Sequence, residues 1–219
     1  MYQVLINSCI FKGLKEQELI DLLKDKPWSV KKYYKNDVLG ESFWNNKYMC
    51  IILNGVVDAK KYASNGQSIL LKRFYIGDVF GLGSLFSKQN KCLSYIEVLE
   101  DMECVFIQRD IVKQLFHEND LILSNYLEYI NNRIYFLSEK IDVFSQDNIE
   151  SRIKYFLESK RKDSNNNEII LYQNKSEIAN SLGISRASFY RIINLLEKKG
   201  EIKLNGNKIF FSNKYNTNY

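Results

Sequence analysis

The stretch "NKSEIANSLGISRASFYRIINLLEKKGEIKLNGNKIFF", residues 174–211, decides the reading of the chain. Asn174 followed by Glu177 is a capping-box arrangement with Asn in place of the usual Ser or Thr, and it opens a short helix with Ile178, Ala179 and Leu182 facing inward. Gly183 supplies a tight turn. Ser185 can then cap a second helix, with Ile184 and Phe189 placed as a hydrophobic staple. Phe189, Ile192, Ile193 and Leu196 repeat at i, i+3, i+4 and i+7 and must bury one face, so Ala187, Tyr190, Arg191 and Asn194 are left on the other. Two helices on a glycine-containing turn, the second with Arg, Ser, Tyr and Asn free, form a helix-turn-helix by pattern. A helix fits the major groove of B-DNA, and a guanidinium can meet O6 and N7 of guanine with two parallel hydrogen bonds. Arg186 and Arg191 are therefore the expected base readers, with Tyr190 placed for apolar or phosphate contact and Lys175, Ser185, Ala187, Ser188 and Asn194 completing the surface. Beyond the helix, Asn205-Gly206 reads as a type I′ hairpin turn flanked by Lys203 and Lys208, a basic wing. The competing reading is a merely structural helical pair with a solvated face.

Charge agrees with a nucleic-acid partner for this end. Residues 1–145 carry 18 Lys+Arg and 18 Asp+Glu and residues 146–219 carry 13 and 8, so the whole net charge of +5 sits in the last third. Upstream, "YMCIILNG", "VVDAKKYA", "SILLKRFY", "LSYIEVLE" and "ECVFIQ" are short, β-branched and aromatic, and divided by the turn formers Asn54-Gly55, Asn65-Gly66 and Gly77-Asp78. This predicts an antiparallel barrel or jelly roll, preceded by an amphipathic helix over 14–24. Within it "GDVFGLGSLF" spends Gly77, Gly81 and Gly83 on positive φ or on room for a ligand. From about Asp110 the period turns helical. Leu123, Leu127, Ile130, Ile134, Leu137, Ile141 and Phe144 follow at alternating steps of four and three, a seam that meets a second copy or else packs on the barrel. "FSQDNIES", 144–151, reads as the hinge, and "KDSNNNE" as a surface loop.

No apolar run approaches a membrane span, and the start lacks a basic segment followed by an apolar one, so a soluble, cytoplasmic protein is expected. Cys9, Cys50, Cys92 and Cys104 are widely spaced and read as reduced thiols, with no metal site and no cofactor. One histidine, His117, no paired nucleophile and base, and no phosphate-binding loop argue against an enzyme.

From "FKGLKEQEL" through the glycine-rich segment and long helix to "EIANSLGISRASFYRIINLLEKKGEI", the chain resembles bacterial transcription factors of the Crp/Fnr superfamily. The resemblance implies an α+β chain. Its parts are an N-terminal β jelly roll of cyclic-nucleotide-binding type over 1–145, with a dimerisation helix at about 110–145, and a C-terminal winged helix-turn-helix over 146–219. It also implies a homodimer on double-stranded DNA with an inverted-repeat operator, RNA polymerase as a further partner, and an effector of unknown identity. Arg186, Arg191 and Ser185 fall on family positions that contact DNA. Ala187 stands where relatives commonly have a glutamate that accepts from cytosine, which puts the family's familiar half-site in doubt.

The effector cassette departs further from the family. Leu82 stands where cyclic-AMP-binding members have a glutamate for the ribose, and Cys92 where they have an arginine for the phosphate. A pocket of Gly81, Leu82, Gly83, Lys91, Cys92, Leu93 and Ser138 would therefore lack the charge-assisted pair a cyclic phosphate needs, and no response to cyclic AMP is expected. Lys91 could replace the lost cation, Cys92 could act as a thiol switch, and His117 could hold a haem or be a plain surface residue. Phe74, Phe80 and Tyr95 suit an apolar ligand or a packed barrel equally. The alternative function is a small-molecule or redox-sensing module that acts through protein contacts.

Overall fold

The structure is a computed structural model that describes residues 1–40, 47–62, 68–89, 94–164, 167–172 and 174–212. Backbone contacts divide the chain into two units, 1–133 and 134–219.

The first unit is an antiparallel jelly roll covered by helices. Its strands are β1 (Trp28–Tyr33), β2 (Val38–Leu39), β3 (Tyr48–Tyr62), β4 (Ser68–Phe74), β5 (Val79–Phe80) and β6 (Tyr95–Gln108). They pair in the order β1-β6-β3-β4, with β2 on β6 and β5 on β3. Period-two alternation sorts the side chains: Cys50, Ile52, Val57 and Ala59 of β3 enter one core with Phe74, Phe80, Val98, Cys104 and Phe106. Met49 and Ile51 point the other way. They join Val105 and Ile107 against Leu5, Phe11, Leu19 and Leu23 from the N-terminal segment, where α1 (Tyr2–Ile6) and α2 (Glu16–Leu23) lie. The helix α3 (Arg109–Glu118) contributes Val112 and Leu115 to this second core.

Three readings of this unit change. Asn54-Gly55 is not a turn, because β3 runs unbroken from Tyr48 to Tyr62 and its pairing with β6 slips between Ile52 and Val57. Gly55, at φ +93°, makes room there: a Cβ would lie 2.6 Å from the Asp101 carbonyl oxygen and 2.8 Å from Met102 Cα. Likewise "LSYIEVLE" and "ECVFIQ" belong to one strand, β6. The helical region opening near Asp110 is two helices, broken at Asn119, whose extended backbone (φ −149°, ψ 110°) precedes α4 (Asp120–Phe144). Asn119 Oδ1 accepts the Leu121 and Ile122 N–H groups, which satisfies donors that a helix start leaves free. The Gly77-Asp78 turn is present, with Gly77 at φ +83°. Asn65-Gly66 lies outside the described residues.

The second unit begins inside α4 and continues with α5 (Ile149–Ser164), β7 (Glu168–Ile170), α6 (Lys175–Ser181), α7 (Arg186–Lys198), β8 (Ile202–Asn205) and β9 (Lys208–Phe211). The loop expected at "KDSNNNE" begins later than read, since α5 continues to Ser164. β7, β9 and β8 form a three-stranded antiparallel sheet beside α7. One core joins Val143, Ile153, Leu157, Ile178, Leu182, Phe189, Ile193, Leu196 and Ile209. Among the described residues no helix is long and apolar enough to cross a membrane.

Candidate nucleic-acid interface

Both ends of the helix pair close as their sequence dictates. The Asn174 side chain accepts the Glu177 N–H at 2.9 Å while Glu177 Oε2 accepts the Asn174 N–H at 3.2 Å. Ser185 Oγ accepts the Ser188 N–H at 3.0 Å and is hydrogen-bonded to the Ser188 hydroxyl at 2.9 Å. Ser185 is thus first the cap of α7, and Ser188 the residue whose N–H it caps, whatever else they touch.

The faces of α7 separate as periodicity requires. Phe189, Ile192, Ile193 and Leu196 are buried, whereas Arg186, Ala187, Arg191 and Asn194 are exposed and Tyr190 is half-buried. Among the described residues Arg186, Arg191 and Lys175 take part in no ion pair, although neighbouring cations of this unit do. Lys154 meets Glu201 at 2.7 Å, Lys199 meets Glu150 at 2.8 Å and Lys208 meets Glu168 at 3.8 Å. Lys175 Nζ stands 5.4 Å and Arg186 Cζ 5.5 Å from the centroid of the Tyr190 ring. The structure therefore brings Lys175, Arg186 and Tyr190 together at the start of the two helices, while Arg191 and Asn194 lie further along the free face.

The turn between the helices is held by residues the sequence did not single out for it. Lys140 Nζ donates to the Ser181 carbonyl at 2.6 Å and Arg152 Nη1 to the Leu182 carbonyl at 3.2 Å, two cations on the C-terminal end of α6. Burial pushes the Lys140 ammonium below its ordinary pKa. Gly183, at φ +65°, faces the Phe144 ring, and that ring carries the Arg152 guanidinium at 5.2 Å.

The wing differs from its expected turn. Asn205 pairs with Lys208, so the two-residue loop is Gly206-Asn207, and positive φ occurs at Gly206 alone (+62°). That is the pattern of a type II′ turn, not I′. Lys203 is exposed, and Lys208 is partly covered beside Glu168. Glu197 Oε1 accepts the Leu204 N–H at 2.7 Å and ties the wing to α7.

The effector-cassette residues are placed in part. Gly81 has φ +79° and opens a 3-10 turn, Leu82–Ser84, in which Gly83 does not take positive φ. Leu82 is fully buried and shares the core of Leu5, Phe11 and Leu115. Lys91, Cys92 and Leu93 lie outside the described residues, and Ser138 is exposed on the part of α4 that belongs to the second unit. Phe74 and Phe80 pack edge to face at 5.9 Å within the barrel core, and Tyr95 meets Tyr62 at 5.1 Å. Arg73 reaches across from β4 to form a two-point pair with the buried Asp58 of β3, at 2.7 and 3.0 Å, an arrangement no local pattern announced. His117 is exposed on α3. Burial raises the thiol pKa values of Cys9 and Cys50, and that of Cys104 to about 12, so these three are poor nucleophiles at neutral pH.

Residues 30–119 match the cyclic nucleotide-binding domain family. Among curated protein sequences none matches the chain. Among solved structures, CprK complexed with OCPA is similar over 91% of this chain and 89% of its own, at 13% identity and a TM-score of 0.64. A CooA mutant from Carboxydothermus hydrogenoformans is similar over 88% and 90%, at 17% identity and a TM-score of 0.59. The Catabolite Activator Protein of Thermus thermophilus is similar over 94% of both chains, at 19% identity and a TM-score of 0.58. Residues 30–119 thus belong to a cyclic nucleotide-binding domain, and the chain shares the fold of these solved structures.

Proposed function

We propose that the protein is a homodimeric, sequence-specific DNA-binding transcriptional regulator of the Crp/Fnr type that does not respond to cyclic AMP. The observation that carries this is the free face of α7: Arg186 and Arg191 are exposed on a helix whose other face is core, and among the described residues neither meets an acid. Such guanidiniums keep all their donors for base edges and phosphates. Dimerisation is supported by α4, where Leu127, Ile134, Leu137 and Ile141 are between 49% and 68% exposed at seam spacing. Two reading helices related by a two-fold axis would recognise an inverted repeat with half-site centres about 10 base pairs apart, or a multiple of that. We read the boundary between sensing and DNA-binding parts at 145/146, a reading supported by the break between α4, which ends at Phe144, and α5, which starts at Ile149.

Insensitivity to cyclic AMP is supported by Leu82, which offers a ribose no hydrogen bond and is committed to the core. The test of the main reading is selection of a binding site from random duplex DNA, followed by Arg191→Ala. The variant should lose about 1–3 kcal/mol on the selected site and relax preference at one base pair. Equal losses on selected and random DNA would show a phosphate contact instead, and a wild-type chain that selects no sequence would overturn the proposal.

A further inference from the structure

Tyr190 has more contacts than a free-face residue needs. Its ring meets the ring of the buried Phe189 edge to face, at 6.2 Å and 81°, which fixes it against the core beneath. Two cations from different helices then converge on that fixed ring, Lys175 from the first turn of α6 and Arg186 from the first turn of α7. Among the described residues the Tyr190 hydroxyl makes no hydrogen bond, so it is the aromatic face that is used. A long cationic side chain normally loses rotamer freedom when it is ordered on a partner. Here the contact with the ring offsets part of that loss beforehand.

We infer that Tyr190 is a positioning residue for DNA recognition, whose ring holds Lys175 and Arg186 in one arrangement so that a phosphate contact from α6 and a base contact from α7 are set in register. This rests on the regulator reading above and adds to it a division of labour: Lys175 anchors on the backbone, Arg186 reads, and Tyr190 acts through both. The ring's electron-rich face attracts a cation without consuming its N–H donors, unlike a carboxylate, so both groups stay available to DNA.

The experiment uses the full chain and an operator selected by the wild-type protein, with fluorescence anisotropy over a range of salt. Tyr190→Phe should bind within about twofold of wild type, because the ring remains. Tyr190→Leu should bind about 5- to 20-fold more weakly, the size that two exposed cation–ring contacts supply. Its salt dependence should be unchanged, since both charges are still present, whereas Lys175→Ala should lower the salt slope by about one. Preference at the base pair read by Arg186 should relax in Tyr190→Leu, and the loss in Tyr190→Leu/Arg186→Ala should be smaller than the product of the two single losses. In the free protein, side-chain methylene protons of Lys175 and Arg186 should be shifted upfield by the ring and lose that shift in Tyr190→Leu. A Phe variant as weak as the Leu variant would place the hydroxyl on DNA and overturn the assignment, as would multiplicative losses in the double variant or an absent ring shift. A wild-type chain that selects no sequence sinks the regulator reading as well; one that selects normally while Tyr190→Leu is silent sinks only this assignment.

Discussion

Substituting Gly183 by Ala tests the turn on which α7 is mounted, through two separable costs. The first is conformational: at φ +65° an L-residue places its Cβ against the following carbonyl, which costs about 1–2 kcal/mol. The second is steric. An alanine Cβ would stand 2.7 Å from Phe144 Cε1 and 3.4 Å from Cζ. The Phe144 ring is 49% exposed and can swing away, so the collision adds only the lower end of an overpacking penalty, about 1 kcal/mol. Swinging the ring also disturbs the Arg152 guanidinium that rests on it and donates to the Leu182 carbonyl. The sum is about 2–3 kcal/mol lost from the second unit. Amide hydrogen exchange on α6 and α7 reports that unit by itself, and urea unfolding followed by far-ultraviolet circular dichroism gives the whole chain. Repeating Gly183→Ala in a Phe144→Ala background removes the collision and leaves the conformational part, about 1–2 kcal/mol. Equal losses in the two backgrounds would refute the steric half of the reasoning. A loss below about 0.5 kcal/mol in the wild-type background would refute both halves.

Leu137→Asp or Ile141→Asp should convert the protein to a monomer in sedimentation equilibrium, since a charge buried in a symmetric apolar seam meets its own copy; a dimer that survives both would remove α4 from the interface. Calorimetric titration with cyclic AMP or cyclic GMP should give no binding heat, and micromolar affinity would overturn the reading of Leu82. Glu150 has its carboxyl held below the ordinary pKa, first by the hydrogen bond from Lys199 and then by the charges of Lys199 and Lys154. A depressed folded-state pKa stabilises above the unfolded value of about 4.3 and that contribution is lost as pH falls through the lower, folded value. Glu150→Gln should therefore flatten the acid limb of the stability profile below about pH 4; an unchanged limb would show that the pair contributes nothing to folding.

The parts of the fold that follow from side-chain period alone were legible. Alternation along β3 separates Cys50 and Ile52 from Met49 and Ile51 into two cores, and the spacing of Phe189, Ile192, Ile193 and Leu196 buries one face of α7. What misled was punctuation. Asn54-Gly55 has the composition of a hairpin turn, but here the glycine serves a close approach by the backbone of Asp101 and Met102 on β6, and nothing near residue 55 in sequence announces that neighbour. The break at Asn119 was local and readable in principle, because Asn119-Asp120 is a helix-start pair. A single helical period taken from about Asp110 passes over it, and the apolar seam begins only at Leu123, beyond the break. At the wing Gly206 is the turn residue, but the loop lies one residue later than Asn205-Gly206, since Asn-Gly and Gly-Asn both satisfy a two-residue loop and only strand pairing chooses between them.

The candidate site divides along the same line, between what one helix specifies and what two elements specify together. Exposure of Arg186, Arg191 and Asn194 follows from the geometry of α7 once its core face is known. The availability of the arginines does not, because it depends on where the acids of the same unit are engaged. Glu150 and Glu201 hold Lys199 and Lys154, Glu158 meets Arg161, Glu168 meets Lys208, Glu197 is hydrogen-bonded to the Leu204 N–H, and Glu177 closes the cap at Asn174. With these six carboxylates engaged elsewhere, the surplus of positive charge that the sequence assigns to this end is not spread evenly. Lys175 and Arg186 gather on the Tyr190 ring, and Arg191 stands open beyond them. A net charge says only that an anion is attracted; the placement of the acids decides which face it meets.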